Sequence, residues 1–164
     1  MEALIIKDVR DALSCIRNPR FYETERGFQG ELNAELRSRL LEFELNGALV
    51  EQEYQKRIKE HGFRTRPDMI IHVPFEGSEF QNRSEGNFVV IELKHRSSRN
   101  GARDDYQNLS RMCHELRYPL AIFINIDSDD TFVDECAALT HGVIHAFAVR
   151  LSNGEVEMTE QTRT

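Results

Sequence analysis

Two short stretches and the loop between them constrain this chain more than anything else in it. Arg66-Pro67-Asp68-Met69-Ile70-Ile71-His72-Val73 and Asn87-Phe88-Val89-Val90-Ile91-Glu92-Leu93-Lys94 are rich in β-branched and aliphatic residues, and both are bounded by Gly, Pro, Asn or Ser. Both therefore read as strands. Side chains alternate across a strand, so Glu92 and Lys94 project from one face, with Val89, Ile91 and Leu93 on the other. If Asp68 lies opposite Leu93, the connecting turn centres between Phe80 and Gln81, and the polar segment Glu76 to Gly86 is itself centred on Gln81. An antiparallel pair then brings Asp68 to Glu92 and Lys94, within a residue or two of register. An acid and a base at the end of an apolar strand are costly to bury unless something holds them. Two carboxylates and a lysine at one point make a place for a divalent cation and a phosphate.

The flanking segments supply helices and further strands. Residues 2 to 17 repeat apolar side chains at Leu4, Ile5, Val9, Ala12, Leu13 and Ile16, a helical period stopped by Asn18-Pro19. A second helix is expected from Tyr22 or Phe28 to Leu45, with the stripe Phe28, Leu32, Leu36, Leu40 and Phe43 and the stop signal Asn46-Gly47. Glu31 and Glu35 share one flank of that stripe. Ala48 to Arg57 alternates as a strand, and a register placing Glu53 opposite Asp68 puts its turn at Glu60-His61. After Lys94 the spacing predicts a loop to Ala102, then a helix from Asp104 or Asp105 to Leu116, with Gln107 and Arg111 flanking its inner face. Leu120 to Ile126 is an almost unbroken apolar run, expected as a buried strand parallel to the Glu92 strand. The acidic Asp127 to Thr131 loop should cap a short helix, Phe132 to Leu139. Val143 to Leu151 and Glu155 to Met158, around Asn153-Gly154, should form a type I′ hairpin, with a frayed tail from Gln161.

Pro67-Asp68 opening one strand, Glu92-Leu93-Lys94 ending the next, and a glutamate-bearing helix upstream together resemble the PD-(D/E)xK nuclease superfamily. The resemblance runs from about Gln29 to Ile126. It implies an α/β restriction-endonuclease-like αβββαβ core, with a four-stranded mixed sheet flanked by helices. Here that core would occupy residues 22–126 of a single 1–164 domain. An extra N-terminal helix (1–18) and a C-terminal helix plus β-hairpin (132–160) would be additions. It further implies Asp68 and Glu92 as ligands of Mg²⁺ or Mn²⁺, Lys94 as the residue that positions the attacking water, and a helix glutamate near the metal. Glu31 matches that last pattern, with Glu35 as the alternative; both could equally face solvent. Glu53 and Gln107 are accessory candidates.

The implied activity is metal-dependent endonucleolytic hydrolysis of DNA. The formal net charge of −7 works against it, because the chain as a whole repels polyanions. Any nucleic-acid contact must then come from a local basic patch or a bound metal, and Arg66, His95, Arg96, Arg99 and Arg103 are the candidates for the patch. The competing readings are a catalytically silent nucleic-acid-binding or assembly module, and a nuclease subunit that takes its DNA affinity from another chain. A homodimer would supply the second site needed to cut both strands. No apolar run is long enough for a membrane span, and Cys15, Cys113 and Cys136 are too far apart for a disulfide framework. They read as buried small hydrophobes, and a reducing cytoplasm is expected.

Overall fold

The computed structural model describes residues 1–40, 47–52, 66–75, 80–82 and 84–164. Six strands form one mixed sheet in chain order: β1 (Leu49–Gln52), β2 (Met69–His72), β3 (Asn87–His95), β4 (Leu120–Ile126), β5 (Val143–Ser152) and β6 (Glu155–Arg163). β1–β2 and β2–β3 are antiparallel, β3–β4 and β4–β5 are parallel, and β6 returns antiparallel to β5. Among the described residues, three α-helices cover the faces: α1 (Glu2–Cys15), α2 (Glu25–Leu40) and α3 (Arg99–Leu116). None of the described helices is long and apolar enough to cross a membrane.

Strand alternation sorts the core into two layers. Met69, Ile71, Val89, Ile91, Leu93, Ile122 and Ile124 pack with Ile5, Val9 and Leu13 of α1 and with Phe28, Leu32 and Leu36 of α2. Ile70, Val90, Ala121 and Phe123 face the other way, onto Ala102, Tyr106, Leu109, Met112 and Cys113 of α3. All seven residues of β4 are buried, as its unbroken apolar run requires for a strand with a covered face on both sides.

Register between β2 and β3 runs Met69↔Ile91, Ile70↔Val90, Ile71↔Val89, then slips at a bulge to His72↔Asn87. The pairing is thus one residue from the expected one, and it sets Asp68 beside Glu92 and Leu93. Gly86 closes this hairpin: its carbonyl accepts from the Val73 amide at 2.9 Å, and a Cβ there would stand 2.3 Å from the Val73 carbonyl. No residue larger than glycine fits without moving backbone.

Five expectations change. The C-terminal hairpin extends the main sheet through β5, so the sheet has six strands rather than four. Its turn has Asn153 and Gly154 both at positive φ, the I′ signature, but β6 continues to Arg163, so residues from Gln161 onward are paired rather than frayed. The helix expected over Phe132 to Leu139 is a single 3₁₀ turn, Val133–Glu135, because the left-handed Phe132 (φ 51°) bounds it on one side and the extended Cys136 (φ −74°, ψ 121°) on the other. α3 begins at Arg99, earlier than Asp104, since the Ser98 hydroxyl accepts from the Gly101 amide and caps it there. Of the cysteines, Cys113 and Cys136 are buried but Cys15 is exposed.

Candidate active site

Asp68 immediately precedes β2, and its Oδ2 accepts the Leu93 N–H at 2.8 Å. A carboxylate thereby takes the rung that a β2 carbonyl would otherwise fill. The N–H and C=O of one strand residue leave by the same edge, so the Leu93 carbonyl points from β3 toward this carboxylate too. Glu92 shares the α3-facing side of the sheet with Asp68 and stands close enough for the charge of Asp68 to act on it. Only 7% of Glu92 is exposed. Burial, then the charge of Asp68, pushes the Glu92 carboxyl up to about 9. At neutral pH Glu92 is therefore protonated in the metal-free protein.

Lys94, two residues along the same strand face, is half-buried. Burial alone would lower its pKa, but the charges of Asp105, Glu25, Asp68 and Glu92 outweigh that and raise it. Its ammonium lies 3.9 Å from Asp105 Oδ1. Asp105 comes from α3, at a position on the buried stripe shared with Ala102, Leu109 and Met112. Burial first, partly offset by Lys94 and reinforced by Asp68 and Glu25, raises the Asp105 carboxyl to about 6.

From the opposite layer, α2 reaches the same end of the sheet with its first turns. The Thr24 hydroxyl accepts the Gly27 amide and caps the helix at its entry. Gln29 Nε2 donates to the Asp68 backbone carbonyl at 2.7 Å, fixing the helix against the start of β2. Glu25 lies one turn before Gln29, and its charge acts on both Lys94 and Asp105.

The structure brings Asp68, Glu92 and Lys94 together. Glu31 and Glu35 lie elsewhere: at 100° per residue, Glu31 is about 160° around the helix from Gln29. Glu35 accepts from Arg39 at 3.3 Å. Glu25 is the helix acid near the site, and sequence reasoning missed it because the helix start was read on either side of it. Gln107 is exposed on α3, and Asp105, two residues earlier, stands at the site instead. The available signal was an acid on the apolar stripe of α3, hidden by reading it as a favourable charge at a helix N-terminus. Glu53 lies outside the described residues.

The expected basic patch is largely neutralised. Arg96 pairs with Asp127 (Nε to Oδ2 2.7 Å), Arg99 with Glu135 at 2.7 Å, and Arg103 with that same Glu135. His95 Nε2 is 2.9 Å from the Tyr22 carbonyl. Arg66 is exposed just ahead of Pro67-Asp68. Sequence displays the arginines but not the acids that fold onto them from the β4–β5 connection.

Among the described residues, no three His, Cys, Asp or Glu side chains form a metal cage by themselves. The chemistry of the Asp68–Glu92 pair nevertheless fits Mg²⁺ or Mn²⁺. A cation beside Asp68 would let the buried Glu92 carboxyl ionise, and Mg²⁺ commonly takes one or two protein carboxylates and keeps several waters. With the Leu93 carbonyl, the donors are all hard oxygens.

No protein-family profile matches the chain, and no curated protein matches it either. Among solved structures, Pyrococcus furiosus SfsA in complex with Ca²⁺ aligns at 15% identity and TM-score 0.41, over 80% of this chain and 61% of that one. The chain thus spans under two thirds of that protein's length. NucC from P. aeruginosa, in its cAAA-bound form, aligns at 9% identity and TM-score 0.49, over 96% of this chain and 81% of that one. NucC from E. coli, also cAAA-bound, aligns at 10% and TM-score 0.44, over 97% and 81%. At TM-scores below 0.5 these likenesses carry no argument about what the chain does. The order helix, three antiparallel strands, helix, parallel strand, with an acid opening β2 and Glu-x-Lys ending β3, matches the αβββαβ order expected from the sequence.

Proposed function

We propose that the chain is a metal-dependent nuclease that hydrolyses phosphodiester bonds of DNA at the Asp68–Glu92–Lys94 site. The observation that carries this reading is the convergence of Asp68 and Glu92, 24 residues apart in the chain, beside Lys94: the β2–β3 register seats Asp68 next to the buried Glu92, and Asp68 Oδ2 accepts the Leu93 N–H at 2.8 Å. Such a group has no economical structural purpose. A buried glutamate set beside a second carboxylate destabilises the fold, and an apolar residue of similar size would serve better.

Asp68 and Glu92, with the Leu93 carbonyl, would hold Mg²⁺ or Mn²⁺. Bound there, the ion would polarise a phosphoryl oxygen, stabilise developing charge and acidify a coordinated water. Lys94 stays an ammonium at neutral pH, so it cannot take a proton from water. It orients the attacking water through its own N–H donors and offsets negative charge on the phosphate. Glu25 reaches this end of the sheet and orients a further water. Asp68 is itself fixed by the Leu93 amide, so it meets the cation already oriented.

The acidic net charge and the paired arginines favour DNA affinity that depends on the bound cation or on a second chain. Incubation of the protein with supercoiled, linear and branched DNA, with and without Mn²⁺, tests the reading. Cleavage is expected with Mn²⁺ and absent in chelator, and Glu92→Ala or Lys94→Ala abolishes it while the fold survives. Cutting that persists in those variants, or in excess chelator, refutes it.

A further inference from the structure

Asp105 is costly where it stands. It occupies the buried stripe of α3 between Ala102 and Leu109, it is 8% exposed, and its Oδ2 is buried without a hydrogen-bond partner among the described residues. A buried carboxylate oxygen left unpaired destabilises a fold, so packing alone would favour an apolar side chain here. The helix that carries it is firmly held. Ser98 caps its first turn, Arg99 and Arg103 are tied to Glu135, and Tyr106, one residue on, donates its hydroxyl to the Thr131 carbonyl at 2.5 Å. Asp105 Oδ1 faces the Lys94 ammonium at 3.9 Å. Lysine has four rotatable bonds and a strong pull toward water, and the Lys94 side chain is still 37% exposed. Of the four acids whose charge acts on the lysine, Asp105 acts most strongly and stands within ion-pair distance of it, on the rigid α3.

We propose that Asp105 is a positioning residue for Lys94: its carboxylate, fixed on α3, holds the lysine ammonium beside the Asp68–Glu92 pair. This deepens the nuclease reading and rests on it for the kinetic part of its test. A rigid helix and a rigid strand thereby set the lysine from two sides, which a catalytic group needs within a fraction of an ångström.

The test pairs kinetics with a readout independent of turnover. Asp105→Asn keeps shape and removes the charge. It should lower kcat at least tenfold with KM for DNA changed less than threefold, and the Mn²⁺-induced thermal shift should persist. Asp105→Glu should restore part of the rate. In a Lys94→Ala background, Asp105→Asn should have no further effect, because the two act as one unit. Separately, NMR relaxation of the ¹³C-labelled Lys94 side chain should show it ordered in the wild type and mobile in Asp105→Asn. Wild-type kcat together with unchanged Lys94 relaxation in Asp105→Asn would overturn the proposal and leave the nuclease reading intact. A wild-type protein that cuts no DNA, yet whose Lys94 loosens in Asp105→Asn, would sink the nuclease reading and keep the positioning role.

Discussion

Replacing Glu92 by Gln should make the metal-free protein more stable, the reverse of the usual outcome for a buried residue. The Glu92 carboxyl has an ordinary value of 4.5 and is raised to about 9 in the fold, mainly by burial and then by Asp68. An acid raised in this way contributes stability that is fully present below the unfolded value, near pH 4.5, and is lost as pH rises through the folded value. Each pH unit in that window costs about 1.4 kcal/mol, so at pH 8 the upper bound is about 5 kcal/mol. Water entry and relaxation around a real buried site should roughly halve that, leaving about 2 to 3 kcal/mol. Glutamine keeps the shape and is uncharged like the protonated acid, but it never ionises in the unfolded chain. For a chain of this size the gain is on the order of 5 to 10 °C in Tm. Thermal melts in chelator from pH 5 to pH 8.5 should show the variant ahead by a margin that grows with pH and vanishes near pH 4.5. In Mn²⁺ the order should invert at saturating metal, because only the wild type gains binding free energy at that ligand. A variant less stable than wild type at pH 8 in chelator, or a margin independent of pH, would refute the burial argument.

Glu25→Gln should reduce cleavage at least tenfold in a Mn²⁺-dependent DNA assay, whereas Glu31→Gln should stay within threefold of wild type. Equal losses in both would mean that α2 meets the site by a different face. Gly86→Ala should destabilise the fold by roughly 1 to 3 kcal/mol in urea titration, because the new methyl group meets the Val73 carbonyl across the β2–β3 hairpin. Arg117 ends α3 in a left-handed conformation (φ 60°) while exposed to solvent, so Arg117→Gly should stabilise by about 1 kcal/mol, read as a rise in the urea midpoint at constant slope.

The convergence of Asp68 with Glu92 and Lys94 was legible because a strand pair obeys arithmetic: the midpoint of a polar loop fixes which residues face each other. The one-residue difference from the expected pairing carries no penalty for the site, since Asp68 spans it by reaching the Leu93 amide rather than standing opposite Leu93. The helix acids were harder. Apolar spacing finds the buried face of α2 through Phe28, Leu32 and Leu36, but it does not say where the helix begins, and Glu25 matters because it is in the first turn. Asp105 was visible only as one acid among several near a predicted helix start. Its burial follows from α3 beginning at Ser98-Arg99, in a stretch whose Asn100-Gly101 reads as loop. The arginines after Lys94 mislead for a third reason. Formal charge is a property of single residues, while the pairing of Arg99 and Arg103 with Glu135 comes from a connection over 30 residues away. Likewise, the hairpin was plain in Asn153-Gly154, but its edge-to-edge joining to β4 needs the tertiary fold.

The Leu93 N–H bonded to the Asp68 side chain has a practical corollary. This one peptide proton reports on a functional carboxylate from inside a β-ladder, where every neighbouring amide reports only on strand pairing. Titrating diamagnetic Mg²⁺ into ¹⁵N-labelled protein should displace the Leu93 resonance well ahead of those of Val90 and Ile91. A single nucleus thus becomes a built-in gauge of ion occupancy, readable without any substrate.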